Sequence, residues 1–359
     1  MAVHEANRFS SKHFYLAVEH SGLELISLSN NEINGSILRE IGRLSSISCI
    51  FFSYNHLRGS IPGEVCSLSK LTGLGLSQNN FSISIPPKIG RLSLLSLLLF
   101  DANNLTSPIP ISIGSLHNLS QLVLVDNSLN GAIPREVGMT KLLNMLDLSI
   151  NQPTGPVPTS LGNLRNLLLS NNLTGVIPAS IRNLTKLSTL YLFENKLSGS
   201  IPQEIGMLVS LTELFFFDNN FSGSIPASIG NWTSLSTLYL DQNMFSGSIP
   251  ASIGNMTKLV GNLTHLESLQ VSDNHLGGPL HENVCFGGQL IYLGAINNNL
   301  TGLNPSSLRN CKSFYRVRLK GKQLTGNISE AFGIYPNLNY IALSNNKFYG
   351  ELSSGNAIV

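Results

Sequence analysis

Residues 187–210 read LSTLYLFENKLSGSIPQEIGMLVS, residues 211–234 read LTELFFFDNNFSGSIPASIGNWTS, and residues 235–258 read LSTLYLDQNMFSGSIPASIGNMTK. In the first copy Leu190 and Leu192 alternate with Tyr191 and Phe193, the spacing of a short strand with one buried face. Leu197 and Ile201 carry the apolar interior past a turn. Gly199 permits a tight backbone there, and Pro202 fixes φ where the chain starts back. The following QEIGML is too short for a stable α-helix and suits a 3-10 turn.

The same unit extends far in both directions. An asparagine follows each LxL at Asn31, Asn55, Asn79, Asn103, Asn127 and Asn151, always 24 residues apart. It continues at Asn171, Asn195, Asn219, Asn243, Asn274, Asn298 and Asn346, with Lys322 in the place of one member. A LxxLxLxxNxLxGxIP unit repeated about 14 times over residues 23–352 specifies a leucine-rich-repeat solenoid. The expected fold is α/β: a parallel sheet forms the concave face, and 3-10 turns and loops form the convex face. With strands ~4.8 Å apart, the arc is on the order of 60–70 Å long. The asparagines are structural: each side chain offers donors and an acceptor to turn backbone that would otherwise be unpaired, at about 1–3 kcal/mol per group. Lys322 cannot accept a hydrogen bond, so its turn is expected to be looser or its amine to reach solvent.

Two joins break the period. Asn151 to Asn171 is 20 residues, with part of the strand-forming segment of LGNLRNLLLSNN expected to be missing; Asn243 to Asn274 is 31, with IGNMTKL nearly repeated as VGNLTHL. Seams near 151–171 and 253–266 are therefore expected to distort the stack locally, as natural variation or as places where repeats were lost. Residues 1–22 fit the period poorly, Asn7 and Phe9 hinting at a decayed repeat, and 353–359 read as a truncated tail.

The 359 residues carry a formal charge of +2 and 12% charged residues, which gives no reason to expect nucleic acid or an anionic membrane as partner. Glycine (32) and proline (16) fall at fixed points of the repeat, so their abundance does not signal disorder. The longest apolar run, Leu94 to Phe100, is far short of the roughly 20 residues of a membrane span, and the first 20 residues form no recognisable signal peptide. No catalytic constellation, kinase motif or metal-ligand spacing occurs, so no enzyme activity and no cofactor are expected. Cys285 and Cys311 stand 26 residues apart, close to one period, and read either as a disulfide or as buried thiols; Cys49, on a strand position, is not expected to pair with Cys66. Twelve N-x-S/T sequons occur, at Asn34, Asn80, Asn104, Asn118, Asn172, Asn183, Asn220, Asn231, Asn255, Asn262, Asn299 and Asn327. They accept glycans only on the secretory route, and NNLTG is also simply what the repeat spells.

Function is expected on the concave face, at the residues between the leucines. In mid-chain these are Tyr191, Phe193, Glu213, Phe215, Phe217, Tyr239 and Asp241, an aromatic strip suited to anchoring a peptide or to stiffening the sheet by stacking. Further on, RVRLKG sets Arg316 and Arg318 on the same face, beside Lys320, either as a solvated basic strand or as a fork for a carboxylate such as a peptide C terminus.

LSGSIPQEIGML, LTGVIPASIRNLTKL and LTGNISEAFGIYPNLNYIALSNNKFYGEL resemble the extracellular domain of plant leucine-rich-repeat receptor-like Ser/Thr kinases over residues 23–352. The last of these resembles the subgroup related to male-discoverer-interacting receptor kinases. The resemblance implies a plant-type solenoid wound as a right-handed superhelix, in a secreted, glycosylated ectodomain on the outer side of the plasma membrane. It implies a secreted peptide or protein ligand, or a co-receptor ectodomain, as partner, with no direct membrane insertion by these residues. The chain departs from that pattern in lacking the signal peptide, paired-cysteine caps, membrane span and kinase, so an incomplete receptor ectodomain is expected. The alternatives are a standalone binder resembling plant cell-wall enzyme inhibitors and a non-functional fragment.

Overall fold

A computed structural model of the chain describes residues 22–161, 164–253, 265–282, 284–285, 287–321 and 323–351. The N-terminal segment with Asn7 and Phe9, the tail after residue 351, most of the longer seam with Asn255 and Asn262, and Lys322 lie outside the described residues. The chain divides into two compact units, Met1–Leu173 and Thr174–Val359.

In the first unit the LxL segments form the strands Leu25–Ser27, Cys49–Phe51, Gly73–Gly75, Leu97–Leu99, Gln121–Val123, Met145–Asp147 and Asn166–Leu168. Each pairs in parallel with the next, so Ile50, Leu74, Leu98, Leu122, Leu146 and Leu167 align as one buried row. The second unit repeats this with Thr189–Tyr191, Glu213–Phe215, Thr237–Tyr239, Ser268–Gln270, Tyr292–Gly294, Arg316–Arg318 and Tyr340–Ala342. There Leu190, Leu214, Leu238, Leu269, Leu293, Val317 and Ile341 align. Alternation places one side of every strand in an interior of Leu, Ile and Phe, and the other side outward.

The return segments are mostly 3-10 turns, as at Gln203–Met207 and Ala227–Asn231; among the described residues only Ser306–Arg309 and Ile328–Ala331 are α-helical. No element of a kinase fold occurs among the described residues, and no helix there is long and apolar enough to cross a membrane.

The glycine of each IG pair has a packing role that the repeat spelling alone does not explain. A Cβ on Gly206 would lie 2.5 Å from both Cβ and O of Ser228 in the next repeat. Gly63, at the start of its own 3-10 turn, has nothing within 4 Å. Gly206→Ala is expected to destabilise the chain by about 1–3 kcal/mol through overpacking, and Gly63→Ala by less than about 0.5 kcal/mol. Chemical denaturation of both variants checks this; equal midpoints would mean that the return segments yield freely.

The stretch LSGSIP is more than a turn. Lys196–Gly199, Asn220–Ser224, Met244–Gly247, His275–Gly278, Asn299–Leu303, Gln323–Asn327 and Lys347–Tyr349 form a second parallel ladder with Thr174–Gly175. Its strands are short and interrupted at glycines of positive φ such as Gly199 (+73°) and Gly223 (+75°), so no alternation survives in the sequence to announce them. In the first unit this ladder is split between Asn104–Leu105 and Asn130–Ala132. The intervening copy reads TSPIP, and Pro108 has no N–H to donate.

Between the two ladders run the asparagines. Nδ2 of Asn79 donates to Phe52 O (2.9 Å) and Leu76 O (3.1 Å), while its Oδ1 accepts from Leu57 N (3.0 Å). The pattern recurs at Asn55, Asn103, Asn127, Asn219, Asn243, Asn274 and Asn298, and Asn346 closes it against Leu319 O and Leu324 N. The residue before each of these asparagines is left-handed, for example Gln78 (φ 54°) and Asp218 (φ 54°). Each such residue costs on the order of 1 kcal/mol, which the asparagine's bonds offset.

The short seam differs from expectation in where the residues are lost. The strand Asn166–Leu168 is complete and pairs with Met145–Asp147. From Leu146 to Asn151 is five residues, but from Leu167 to Asn171 only four, and Ser170 has no positive φ. The turn has therefore lost its left-handed residue, and the remaining shortening falls on the return segment, where solvent tolerates it better than the sheet does. Asn171 compensates in part. Its Oδ1 accepts from Asn151 N (2.7 Å), since Pro153, where the usual donor would stand, has none. Its Nδ2 is buried without a partner. At the longer seam Leu238 pairs with Leu269 in the usual register, so the surplus does not enter the strands.

Candidate functional site

The outward residues of the second unit's strands form three rows. One passes through Tyr191, Phe215, Tyr239, Gln270, Gly294 and Arg318; a second through Glu213, Thr237, Ser268, Tyr292, Arg316 and Tyr340. The third, two residues further along each chain, holds Phe193, Phe217, Asp241 and Ser272.

The register brings the aromatic residues together face to face. Tyr191 and Phe215 stack at 4.3 Å between centroids with planes 4° apart, and Phe215 and Tyr239 at 4.7 Å and 8°. Phe193 and Phe217 form a second stack at 4.6 Å and 8°, tilted about 50° to the first. All five rings are half-buried, with the stacked faces covering each other. Stacking of this kind is worth about 0.5–1.5 kcal/mol per pair, so the rows stiffen the sheet and still present a continuous apolar strip.

The two carboxylates on the strip have different fates. Glu213 accepts from the Tyr191 hydroxyl, and burial together with that carboxylate pushes the phenol well above its usual range. Asp241 is half-buried with Oδ1 unpartnered; burial pushes its carboxyl up to about 6, opposed by a hydrogen bond from its own backbone N–H, with Asp273 adding and Arg318 opposing. The Tyr239 hydroxyl accepts from Ser268 Oγ (3.2 Å).

Of the arginines, Arg316 is exposed and its guanidinium lies over the Tyr340 ring, 5.5 Å from the centroid. Arg318 is half-buried and adjoins Gly294 across the sheet. A Cβ on Gly294 would meet Gln270 Oε1 at 2.0 Å, so Gln270 lies across the bare strand. Arg318 and Tyr239 share a row three strands apart, roughly 14 Å, a length that four to five extended residues span.

Cys285 and Cys311 are joined by a disulfide with Cα atoms 6.0 Å apart. Cys49 and Cys66 are free, the first beside Thr72 Oγ1 (3.5 Å), the second buried so that its thiol is pushed up to about 11. Of the described sequons, Asn80, Asn104, Asn172, Asn220 and Asn299 are exposed and directly follow a ladder asparagine; Asn34, Asn118 and Asn183 are exposed elsewhere. Asn231 and Asn327 are half-buried, and the Asn327 side chain accepts from Ser329 N to cap a helix. None occupies an outward position of the LxL strands. No group of side chains among the described residues is arranged to hold a metal ion.

Sequence reasoning missed the first unit's strand face. Phe51 lies across Gly73 and Gly75, where added Cβ atoms would stand 3.2 and 2.7 Å from its ring, and Leu97, Leu99 and Val123 follow half-buried. Glycines at outward strand positions beside a phenylalanine were the signal.

The Leucine Rich Repeat family profile matches residues 22–44, 186–208, 210–232 and 234–256. No curated protein sequence matches the chain. Among solved structures, the plant peptide hormone receptor RGFR1 in complex with RGF2 is 32% identical with a TM-score of 0.81, over 91% of this chain and 56% of that one. PEPR1 with AtPEP1 gives 32% and 0.86, over 93% and 46%. The Arabidopsis receptor kinase HAESA with the peptide hormone IDA and the co-receptor SERK1 gives 33% and 0.77, over 92% and 59%. A plant ice-binding protein is also similar, at 28% and 0.59, over 67% and 77%. The chain thus spans about half the length of these three receptor structures.

Proposed function

From a leucine-rich-repeat domain structurally close to several plant receptor-kinase ectodomains, we propose that this chain recognises a secreted peptide on the strand face of its second unit, as part of a signalling receptor. The observation that carries the reading is the pair of stacked aromatic rows at outward, half-buried strand positions. An aliphatic interior needs no aromatic residues there, and contiguous apolar strips on a polar surface mark binding sites. The peptide runs across the strands, its apolar side chains on Tyr191, Phe215 and Tyr239, its C-terminal carboxylate at Arg316 and Arg318. A co-receptor ectodomain is the second partner in this reading.

The disulfide and the exposed sequons support an extracellular setting, since such bonds persist in oxidising compartments. We read the closing segment LTGNISEAFGIYPNLNYIALSNNKFYGEL as that of the subgroup related to male-discoverer-interacting receptor kinases.

The test is selection from a random peptide library displayed with free C termini, on the full chain secreted from a eukaryotic host. Enriched peptides are then synthesised with free and amidated C termini. Arg316→Ala/Arg318→Ala is expected to weaken the free-acid form about tenfold or more and the amide less than about twofold. Equal losses for both forms would reject the carboxylate clamp.

A further inference from the structure

We infer that Asp241 and the adjoining face of Phe217 form a subsite for a cationic side chain, lysine or arginine, of the bound peptide. The inference rests on the peptide reading above and adds a chemical requirement to it.

Phe217 stacks on Phe193 toward one neighbouring strand, so its second face looks toward the next, where Asp241 stands. The backbone fixes this placement: Asp218 N donates to Asp241 O (3.0 Å), and Phe215 pairs with Tyr239. An aromatic face at the end of a stack, with a carboxylate beside it, is the arrangement that attracts an ammonium or guanidinium group.

The carboxylate is available. Glu213, the other acid on the strip, is engaged by the Tyr191 hydroxyl, and Tyr239 is engaged by Ser268. Asp241 forms none of the ion pairs among the described residues, and its Oδ1 is buried without a hydrogen bond. Its nearest cation of consequence, Arg318, stands three strands away in the neighbouring row. Only its own backbone N–H bonds the carboxylate from within the fold, and a half-buried carboxylate with one oxygen unbonded and no cation beside it is costly, a cost that an outside cation offsets. Charge complementarity thus selects the occupant: a basic residue, with the hydrophobic stem of lysine or arginine lying along the Phe217 edge.

The test uses the same selection from a displayed peptide library, run in parallel on the wild-type chain, on Asp241→Asn, and on Tyr191→Ala/Phe215→Ala/Tyr239→Ala. Wild type is expected to enrich peptides with lysine or arginine fixed at one position, and Asp241→Asn to lose that preference while still enriching apolar residues. Replacing the fixed lysine by norleucine in a synthetic peptide should cost at least tenfold in Kd on wild type and less than twofold on Asp241→Asn. Asp241→Asn should fold with an unchanged or raised melting temperature, which separates loss of the subsite from loss of the fold. Enrichment that depends on the aromatic rows but shows no basic preference, or one indifferent to Asp241→Asn, overturns the subsite and leaves the peptide reading standing. Absence of any enrichment that depends on the aromatic rows overturns both.

Discussion

Replacing Tyr191, Phe215 and Tyr239 together with alanine is expected to lower affinity for selected peptides by at least 100-fold, measured by calorimetry or interferometry. Three half-buried rings in one stack present a continuous apolar surface on the outward strand positions of the second unit. Central aromatic residues of this kind commonly cost about 2 kcal/mol or more each when truncated, and three such losses exceed the ~2.7 kcal/mol that 100-fold requires. The same substitutions remove two stacking contacts, so stability should also fall, by about 1–3 kcal/mol. The two roles separate cleanly. Unchanged affinity with lowered stability would mean that the rows only stiffen the sheet, and the binding site would have to be sought elsewhere, first on the strip of Phe51, Leu97, Leu99 and Val123.

Asn219→Ala is expected to destabilise the chain by about 3–5 kcal/mol, seen as a large drop in the denaturation midpoint. Its Nδ2 donates to Leu192 O (2.8 Å), Phe216 O (3.3 Å) and Phe217 O (3.3 Å), and its Oδ1 accepts from Leu197 N (3.0 Å). Alanine leaves at least one buried N–H and one buried C=O without partners, and groups in a dry turn cannot be rescued by water. Asn171→Ala makes the contrast. That side chain holds one bond, to Asn151 N, and buries an unpartnered amide. Its loss should cost less than about 1.5 kcal/mol. Equal costs at the two positions would show that the ladder's strength lies in the asparagine's shape rather than in its hydrogen bonds.

The seam illustrates how far a sequence can be read and where the reading fails. A count of 20 between Asn151 and Asn171 reveals that residues are missing but not which ones. The structure spends the deficit on the left-handed turn residue and the return segment and keeps the strand. A strand pairs with two neighbours along its length, whereas a return segment on the outer face is free to shorten. The second ladder was hidden for a related reason. LSG is too short and too glycine-rich to show alternation, and it becomes a strand only because copies one period away lie beside it.

By itself, the sequence determined the repeat, the buried leucine rows, the asparagine positions and which residues face outward. Each follows from a local rule that every copy obeys: alternation along a strand, a turn needing its donors and acceptors, a proline that fixes φ. Only the tertiary structure decided which outward residues are already satisfied. Glu213 and Asp241 are both acids between apolar neighbours, yet Glu213 meets the Tyr191 hydroxyl from the preceding strand while Asp241 faces a phenylalanine and a serine. That difference depends on register between repeats, which brings together side chains more than twenty residues apart, and no single copy of the repeat contains it.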